Sequence, residues 1–428
     1  MKVVRSSKCF YDKWITKKKH DEIKAIMTEY TKLCNYFVET YEDRISKDIP
    51  KRAKKGSNGI PYEEFMSRCK EDTKTWLGTS YIESAFYEAF GAVLSAKSNA
   101  ENREDKKYFR PNFHGKKIHI TAHRAYKIST AKNTKLFDFN VELRGIYNTD
   151  YIKEKGLKKG YVISIPLKRH VQLNKWMNVG SIAQSLEITE KYVKFAFNVL
   201  LDKKKEHGVK LGIDFGLERL GTLSNGQIIG ADIKKHLEEL VRKKRCSKAY
   251  YKKKEEIKAY INEEIKKIDF ENTQLIVMEN LKGLQYKMKE RGRLSKNIRS
   301  LMSNLSHRQF MDRIQMLCED NRVAYRCIPS FYSSQACLVC GHVHPENRKD
   351  QEHFVCQNCG HVDNADNNAS KVLLKRVLTD TCGFRCKAYL DITDKSTPEE
   401  IQAHNEYLKK WSTVTEEDIL RISCGNVL

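Results

Sequence analysis

The chain has 428 residues, 40% of them hydrophobic, and this length allows about two to four domains with separate cores. Its formal net charge is +24, from 79 Lys and Arg against 55 Asp and Glu. Together with 21 Tyr and 17 Phe, this excess favours nucleic acid as a partner, although composition alone specifies no activity. No apolar run approaches the length of a membrane span, and the N-terminus lacks the apolar core of a signal peptide. We therefore expect a cytoplasmic protein without a membrane partner.

The first half of the chain predicts a small β-barrel with a helical domain inserted after its first strand. Residues 2–11 form that strand, and from His20 apolar residues recur at steps of three and four, which indicates a long amphipathic helix. Short alternating segments predict the remaining strands at 117–123, 136–143, 161–167, 182–188 and 192–199. We assign residues 1–11 and 105–208 to the barrel and residues 12–104 to the helical domain.

The second half predicts a mixed α/β layer, in which two apolar strands end on acidic residues, Asp214 and Glu279. The other predicted elements are strands at 219–224, 227–230 and 323–329 and helices within 232–268 and 300–320. The basic segment 283–299 is expected to be a loop. We assign residues 209–335 and 361–390 to this domain.

The C-terminal residues 391–428 reverse the charge trend of the chain. They carry eight Asp and Glu against four Lys and Arg. Thr397 and Thr415, each followed by acidic residues, predict the starts of two helices. We expect an acidic helical tail that contacts protein or solvent rather than nucleic acid.

Two Cys-x-x-Cys pairs predict a zinc ribbon within residues 336–360. Cys337 and Cys340 form the first pair, and Cys356 and Cys359 form the second after fifteen intervening residues. Each pair allows two thiolates to reach one ion, and the Gly that follows each pair relieves the turn. The alternative is two disulfides or four unrelated thiols, and disulfides are rare in a reducing compartment. We therefore expect one structural Zn²⁺ held by four thiolates.

Three acidic residues are candidates for catalysis because of where they lie: Asp214 and Glu279 at strand ends, and Asp366 where the chain becomes helical after the ribbon. Each alone has a simpler explanation, as a turn residue, a sheet-edge residue and a helix N-cap respectively. Together they match a ribonuclease-H-like arrangement, in which adjacent strands direct carboxylates to one point. Such oxygen ligands suit Mg²⁺, and two ions could promote phosphodiester hydrolysis.

Four motifs follow one another within residues 209–378. They are Gly212-Ile-Asp-Phe-Gly, Val277-Met-Glu-Asn-Leu, Pro329-Ser-Phe-Tyr-Ser-Ser-Gln-Ala-Cys-Leu-Val-Cys-Gly and Asn364-Ala-Asp-Asn-Asn-Ala. Their order, with a four-cysteine ribbon just before the last Asp, resembles the split RuvC nuclease of TnpB. TnpB proteins are transposon-encoded RNA-guided nucleases, and the miniature type V-F CRISPR effectors descend from them.

The resemblance implies a multidomain α+β fold, with a wedge-like barrel, a helical recognition domain and a RuvC-like domain whose zinc ribbon belongs to a target-nucleic-acid-binding insert. It also implies that Asp214, Glu279 and Asp366 form a catalytic triad that holds two Mg²⁺ ions, with Mn²⁺ as a substitute. The implied partners are a guide RNA and target DNA. The implied activity is RNA-guided DNA cleavage at a single site, with trimming of single-stranded DNA as a side activity.

Two alternatives stay open at this point. One is an unguided RuvC-like resolvase or transposase with the same core. The other is an RNA-guided DNA-binding protein without cleavage, although the presence of all three acids argues against it. The segment between Asp214 and Glu279 is short for the family, and the tail 391–428 lies outside its pattern. The sequence therefore does not decide between a monomer and a homodimer.

Overall fold

The structure is a computed structural model. The residues that it describes are 2–45, 60, 62–101, 107–115, 117–121, 123–131, 136–280, 296–350, 352–384, 386–394 and 396–424. The chain divides into two units, residues 1–200 and residues 201–428. None of the described helices is both long and apolar enough to span a membrane.

Three helices supply a large part of the core of the first unit: α1 (Lys17–Tyr41), α2 (Tyr62–Thr73) and α3 (Thr79–Glu101). Helix α1 begins after Thr16, whose side chain accepts a hydrogen bond from the N–H of Lys19. The residues of its apolar face are buried: Ile23, Ile26, Met27, Tyr30, Leu33, Cys34, Phe37, Val38 and Tyr41. This confirms the predicted amphipathic helix. Phe65 of α2 and Phe86 of α3 stack with 3.9 Å between ring centroids.

Two antiparallel sheets complete the first unit. One has the order β1 (Lys2–Phe10), β7 (Tyr192–Leu200), β6 (Gly180–Ile188), β2 (Ile118–Ile120). The other has the order β3 (Tyr126–Thr130), β4 (Phe139–Leu143), β5 (Ile163–Leu167). Strand β3 and two short helices, α4 (Thr149–Glu154) and α5 (Val171–Val179), were not expected from the sequence. Among the described residues the strands pair as two separate sheets, not as one closed ladder.

A five-stranded mixed sheet organises the second unit. Its order is β10 (Ile228–Ile229), β9 (Gly221–Leu223), β8 (Val209–Asp214), β11 (Thr273–Glu279), β12 (Ala324–Ile328). Strands β8, β11 and β12 are parallel, whereas β9 and β10 run antiparallel to their neighbours. The register pairs Ile213 with Met278, the residues immediately before Asp214 and Glu279. The two acids therefore lie at the same edge of the sheet, as in the ribonuclease-H-like arrangement that the sequence matches.

Helices cover both faces of this sheet. One face carries α6 (Ile233–Val241), α7 (Lys248–Ile265), α8 (Lys296–Asn304) and α9 (His307–Asp320). The other carries α10 (Ala365–Leu378), α11 (Pro398–Trp411) and α12 (Glu416–Cys424). Consecutive residues of β11 alternate between these two cores, because Ile276 and Met278 face the first set of helices and Leu275 and Val277 face the second. The segment 283–299 was expected to be a loop. Residues 283–295 lie outside the described residues, and residues 296–299 begin α8.

Helix α10 lies very close to β8. A Cβ added to Gly212 would come within 2.0 Å of the backbone oxygen of Ser370, so only glycine allows this approach. Between β12 and α10 the chain forms the ribbon, with a hairpin of β13 (His353–Val355) and β14 (Val362–Asn364). The ribbon thus leads directly into the helix that carries Asp366.

Candidate metal centres and active site

The three acidic candidates lie at one edge of the sheet in the second unit. Asp214 and Glu279 end the neighbouring parallel strands β8 and β11, and Asp366 lies in the first turn of α10. Burial raises the pKa of Asp214 well above its ordinary value, and the negative charges of Glu279 and Asp366 raise this pKa further. The carboxylates of Glu279 and Asp366 are therefore both close enough to repel that of Asp214.

Glu279 is oriented by a serine that precedes the ribbon. The hydroxyl of Ser333, which is buried, donates a hydrogen bond to Oε1 of Glu279. Burial raises the pKa of Glu279, whereas this hydrogen bond and the positive charges of Arg376 and Arg348 act in the opposite direction. The hydroxyl of Ser333 thus holds Oε1 of Glu279 in place and does not hold Oε2.

Asp366 does not cap its helix. Asn364 is the N-cap residue of α10, and its side-chain oxygen accepts from the N–H groups of Asp366 and Asn367. The carboxylate of Asp366 instead lies 2.9 Å from the guanidinium of Arg348, which belongs to the ribbon. The simpler explanation of Asp366 as an N-cap is therefore wrong. Its side chain faces the edge of the sheet where Asp214 and Glu279 end their strands (the acidic edge).

Sequence reasoning missed three polar residues of this edge: Ser333, Arg348 and Arg376. Ser333 lies within a quoted motif, but nothing in the spacing links it to Glu279. Arg376 is 1% exposed in α10, its guanidinium lies 4.6 Å from the ring centroid of Tyr389, and none of its nitrogens has a hydrogen-bond partner among the described residues. An arginine within an apolar helical run was the available signal for it.

The chemistry of the acidic edge fits a divalent cation. Burial raises the pKa values of Asp214 and Glu279, and the neighbouring carboxylates raise that of Asp214 further. A metal ion bound between the oxygens would relieve that repulsion, and carboxylate oxygens are the ligands that Mg²⁺ prefers. Asp214, Glu279 and Asp366 are the residues that could hold it.

A second group of potential ligands does not have this character. Single ligand atoms of His361, Asp363 and Glu416 lie within 4.8 Å of one another. The ammonium of Lys371, however, lies 2.9 Å from Asp363 and 3.6 Å from Glu416. This lysine already supplies the positive charge, so we assign no metal there.

The four predicted cysteines come together at the ribbon. Sγ of Cys337 lies 3.6 Å from that of Cys359, Sγ of Cys340 lies 3.6 Å from that of Cys356, and all four sulfurs are within 4.8 Å of one another. Tetrahedral coordination with Zn–S bonds of about 2.3 Å places sulfurs roughly 3.8 Å apart, whereas a disulfide requires about 2.05 Å. The backbone N–H of Cys359 also points at Cys356 Sγ at 3.5 Å. The cluster fits one Zn²⁺ and not two disulfides.

Residues 307–373 match the family described as Cas12f1-like, TNB domain. The Escherichia coli (strain K12) protein InsQ, which is named as an RNA-guided DNA endonuclease, is 28% identical over 195 residues, covering 38% of this chain and 48% of that protein. A Cas12f1 structure, solved by cryo-electron microscopy as a complex with sgRNA and target DNA, shares the fold with a TM-score of 0.54 and 13% identity, over 84% of this chain and 83% of that one.

The predicted resemblance to TnpB and the miniature type V-F effectors is confirmed. The TNB match extends from α9 through the ribbon into α10, so it contains the four cysteines and the newly found Ser333 and Arg348 as well as Asp366. It does not reach Asp214 or Glu279. The chain and InsQ share a segment of about half the length of InsQ.

Proposed function

We propose that this protein is an RNA-guided DNA endonuclease that hydrolyses phosphodiester bonds at a single nuclease centre. The observation that carries the proposal is the cluster of Asp214, Glu279 and Asp366 at one edge of the mixed sheet, next to the ribbon. The name of InsQ and the RNA and DNA in the Cas12f1 complex support the guided activity. An unguided resolvase would share the nuclease core but has no other support here.

Asp214, Glu279 and Asp366 would hold two Mg²⁺ ions, with Mn²⁺ as a substitute. When bound, the ions supply Lewis acidity and a water of lowered pKa as the nucleophile, so no side chain has to act as general base. Ser333 holds one oxygen of Glu279, and Arg348 holds Asp366. These contacts fix the carboxylates before substrate arrives, which limits the reorganisation needed during the reaction.

The partners under this proposal are a guide RNA and target DNA, and the net charge of +24 is of the right sign for both. The RNA would read the target sequence by base pairing, while the protein reads a short flanking duplex. The protein would act in the cytoplasm and trim single-stranded DNA as a side activity. The domains follow the predicted boundaries: a wedge-like barrel (1–11 and 105–208), recognition helices (12–104), a RuvC-like domain (209–335 and 361–390), the zinc ribbon (336–360) and the tail (391–428).

The test uses the full chain purified from cells that carry its native locus. The co-purifying RNA is sequenced, and a DNA duplex complementary to its guide segment is made. Cleavage of this duplex is followed with and without added Mg²⁺. The expected result is cleavage that depends on the complementary segment and is lost in Asp214→Ala, which keeps RNA binding.

Each alternative gives its own result in this assay. Absence of co-purifying RNA, with cleavage that ignores complementarity, would establish the unguided resolvase. Guided DNA binding without Mg²⁺-dependent cleavage would establish a binding protein. Cleavage that persists in Asp214→Ala would show that the acidic edge is not the nuclease centre.

A further inference from the structure

The C-terminal acidic segment is built into the second unit. A capping box at Thr397 and Glu400 starts α11, and α12 follows after a short turn. Tyr407, Trp411 and Ile419 are at most 1% exposed and belong to the core that also contains residues of β11, the first zinc knuckle and α10. The acidic tail, which was expected to contact protein or solvent, therefore packs its apolar side chains against the rest of this unit.

Two aromatic side chains of α11 donate hydrogen bonds to the backbone of the first zinc knuckle, Cys337–Gly341. The indole N–H of Trp411 donates to the backbone oxygen of Leu338 at 3.1 Å, and the hydroxyl of Tyr407 donates to the backbone oxygen of Gly341 at 2.9 Å. Gly341 has φ +79°, and an added Cβ would lie 3.0 Å from both aromatic side chains. The knuckle is thus shaped to receive them.

Lysine 375 of α10 completes this contact. Its ammonium donates to the backbone oxygen of Leu338 at 2.8 Å and lies 4.8 Å from the ring centroid of Trp411. Burial lowers the pKa of Lys375 to about 8, and negative charge on the nearby sulfurs of Cys337 and Cys340 acts in the opposite direction. The knuckle, α10 and α11 therefore share one buried polar junction.

Helix α12 contacts two further supports of the acidic edge. Glu416 lies 3.6 Å from Lys371 of α10 and 3.7 Å from His361, two residues after the second zinc knuckle. The hydroxyl of Ser423 lies 2.9 Å from that of Ser224, which accepts the N–H of Gly212 in β8 at 3.0 Å. The C-terminal helices thus touch the ribbon, the helix of Asp366 and the strand of Asp214.

These contacts include directed hydrogen bonds as well as apolar packing. The carbonyl and hydroxyl oxygens that accept them would otherwise be hydrated by water. The ribbon itself has only a small core, in which Phe354 and Ala365 pack with Cys337 and Cys356. Its position on the sheet therefore depends on what holds it from outside. Arg348, the residue that reaches Asp366, is carried by this ribbon.

We propose that helices α11 and α12 form a positioning element for the nuclease centre, in which Tyr407 and Trp411 hold the zinc ribbon where Arg348 contacts Asp366. The expected effect on cleavage rests on the proposed nuclease function. The attachment of the zinc ribbon by the two helices does not. Both aromatic residues are buried, so each would act through the ribbon and not by contact with substrate.

The test compares the full chain with Tyr407→Phe, Trp411→Phe and the double variant, which remove the two hydrogen bonds and keep aromatic rings. The control is Tyr36→Phe in the first unit, which removes a hydroxyl bonded to Asp72 at 2.6 Å. Zinc release from the protein alone is followed with the dye 4-(2-pyridylazo)resorcinol. Cleavage is measured in single turnover at saturating RNA and DNA, with DNA affinity measured separately.

The double variant should release zinc about tenfold faster and cleave about tenfold more slowly, as expected for the loss of one to two net hydrogen bonds, with unchanged DNA affinity. In an Arg348→Ala background it should slow cleavage by less than about twofold, because residues on one pathway are not additive. A purely structural role would not produce this non-additivity.

Wild-type zinc release and cleavage in a folded double variant would overturn the proposal. A full additional slowing in the Arg348→Ala background would overturn the route through Arg348. If the double variant does not fold, Tyr407→Phe alone decides, since it removes one hydroxyl. If the wild-type chain cleaves nothing, the nuclease function fails, and the zinc-release rates still decide whether the helices hold the ribbon.

Discussion

The guanidinium of Arg348 lies 2.9 Å from the carboxylate of Asp366, although the second zinc knuckle separates the two residues in the chain. Their side chains are only 19% and 11% exposed. Breaking a pair so far withdrawn from water leaves an uncompensated charge, so each residue constrains the position of the other. The zinc module therefore contributes a charged group to the acidic edge, in addition to any contact that it makes with nucleic acid.

Replacing Arg348 with Ala should slow DNA cleavage by about 10²-fold, the size seen when a preorganised charged or polar donor is removed from an active site. The cleavage rate of Arg348→Lys should lie between the rates of the wild type and Arg348→Ala, because an ammonium keeps the charge but loses the planar fork of the guanidinium. The measurement is single-turnover cleavage at saturating DNA, together with zinc content. Lys349→Ala, which changes the exposed neighbour, is the control. Wild-type rates in Arg348→Ala would show that the ion pair has no part in the reaction.

Ser333→Ala should raise the Mg²⁺ concentration needed for half-maximal cleavage by about fivefold, which corresponds to one net hydrogen bond of about 1 kcal/mol. The reason is that the hydroxyl of Ser333 orients Glu279 and stabilises its ionised form. Ser333→Thr retains the hydroxyl and should recover most of the loss. Ser412→Ala removes an exposed hydroxyl at the end of α11 and serves as the control. Direct Mn²⁺ binding, followed by electron paramagnetic resonance, should shift in the same order, and an unshifted titration would contradict this role.

Local patterns predicted the elements that carry the three acids. The apolar strands ending at Asp214 and Glu279 are present, and their parallel register brings the two acids to one edge. The cysteine spacing predicted a cluster that fits zinc. The strands and the cysteine pairs depend on residues close together in the sequence, so periodicity and spacing are enough to find them. The pairing of β8 with β11 joins distant segments and was expected only from the ribonuclease-H-like match.

Relationships between distant segments could not be found in this way. Asn364 and Asp366 are both good N-cap residues, and only the structure shows that Asn364 caps the helix while Asp366 pairs with Arg348. The acidic composition of residues 391–428 indicated contact with protein or solvent, and it did not indicate that Tyr407 and Trp411 are buried against the first zinc knuckle. An amphipathic pattern predicts that a helix buries one face, and it does not say against which partner.

Removal of the zinc ligands should disable the nuclease centre without unfolding the first unit. Cys356→Ser should lose zinc and lower the melting temperature of the second unit, since metal binding is coupled to the folding of such modules. Cleavage should fall by about 10²-fold, the loss expected for Arg348→Ala, because the ribbon positions Arg348. Cys246→Ser, at an exposed free thiol, should leave both properties unchanged. Full cleavage by a zinc-free protein would contradict the positional role of the ribbon.

The stability of the protein should depend on the ionisation of Asp214, with a sign set by its raised pKa. Because the folded state disfavours the ionised form, the fold loses stability as the pH rises from the ordinary carboxyl range through the raised pKa. Asp214→Asn cannot ionise and should therefore melt at a higher temperature than the wild type at pH 8 without added Mg²⁺. This difference should shrink as the pH falls through about 4, because below the ordinary Asp pKa the carboxyl is protonated in the unfolded state as well.

Asp269 provides a control of opposite sign. Hydrogen bonds from the side chain and backbone of Asn272 lower the pKa of Asp269, so its ionised form stabilises the fold above the ordinary carboxyl range. Asp269→Asn should accordingly melt at a lower temperature than the wild type at pH 8, and this difference in melting temperature should shrink on acidification.

Added Mg²⁺ should raise the melting temperature of the wild type more than that of Asp214→Asn, because Asp214→Asn lacks one of the three carboxylates. Equal shifts with Mg²⁺ in both proteins would place the metal elsewhere.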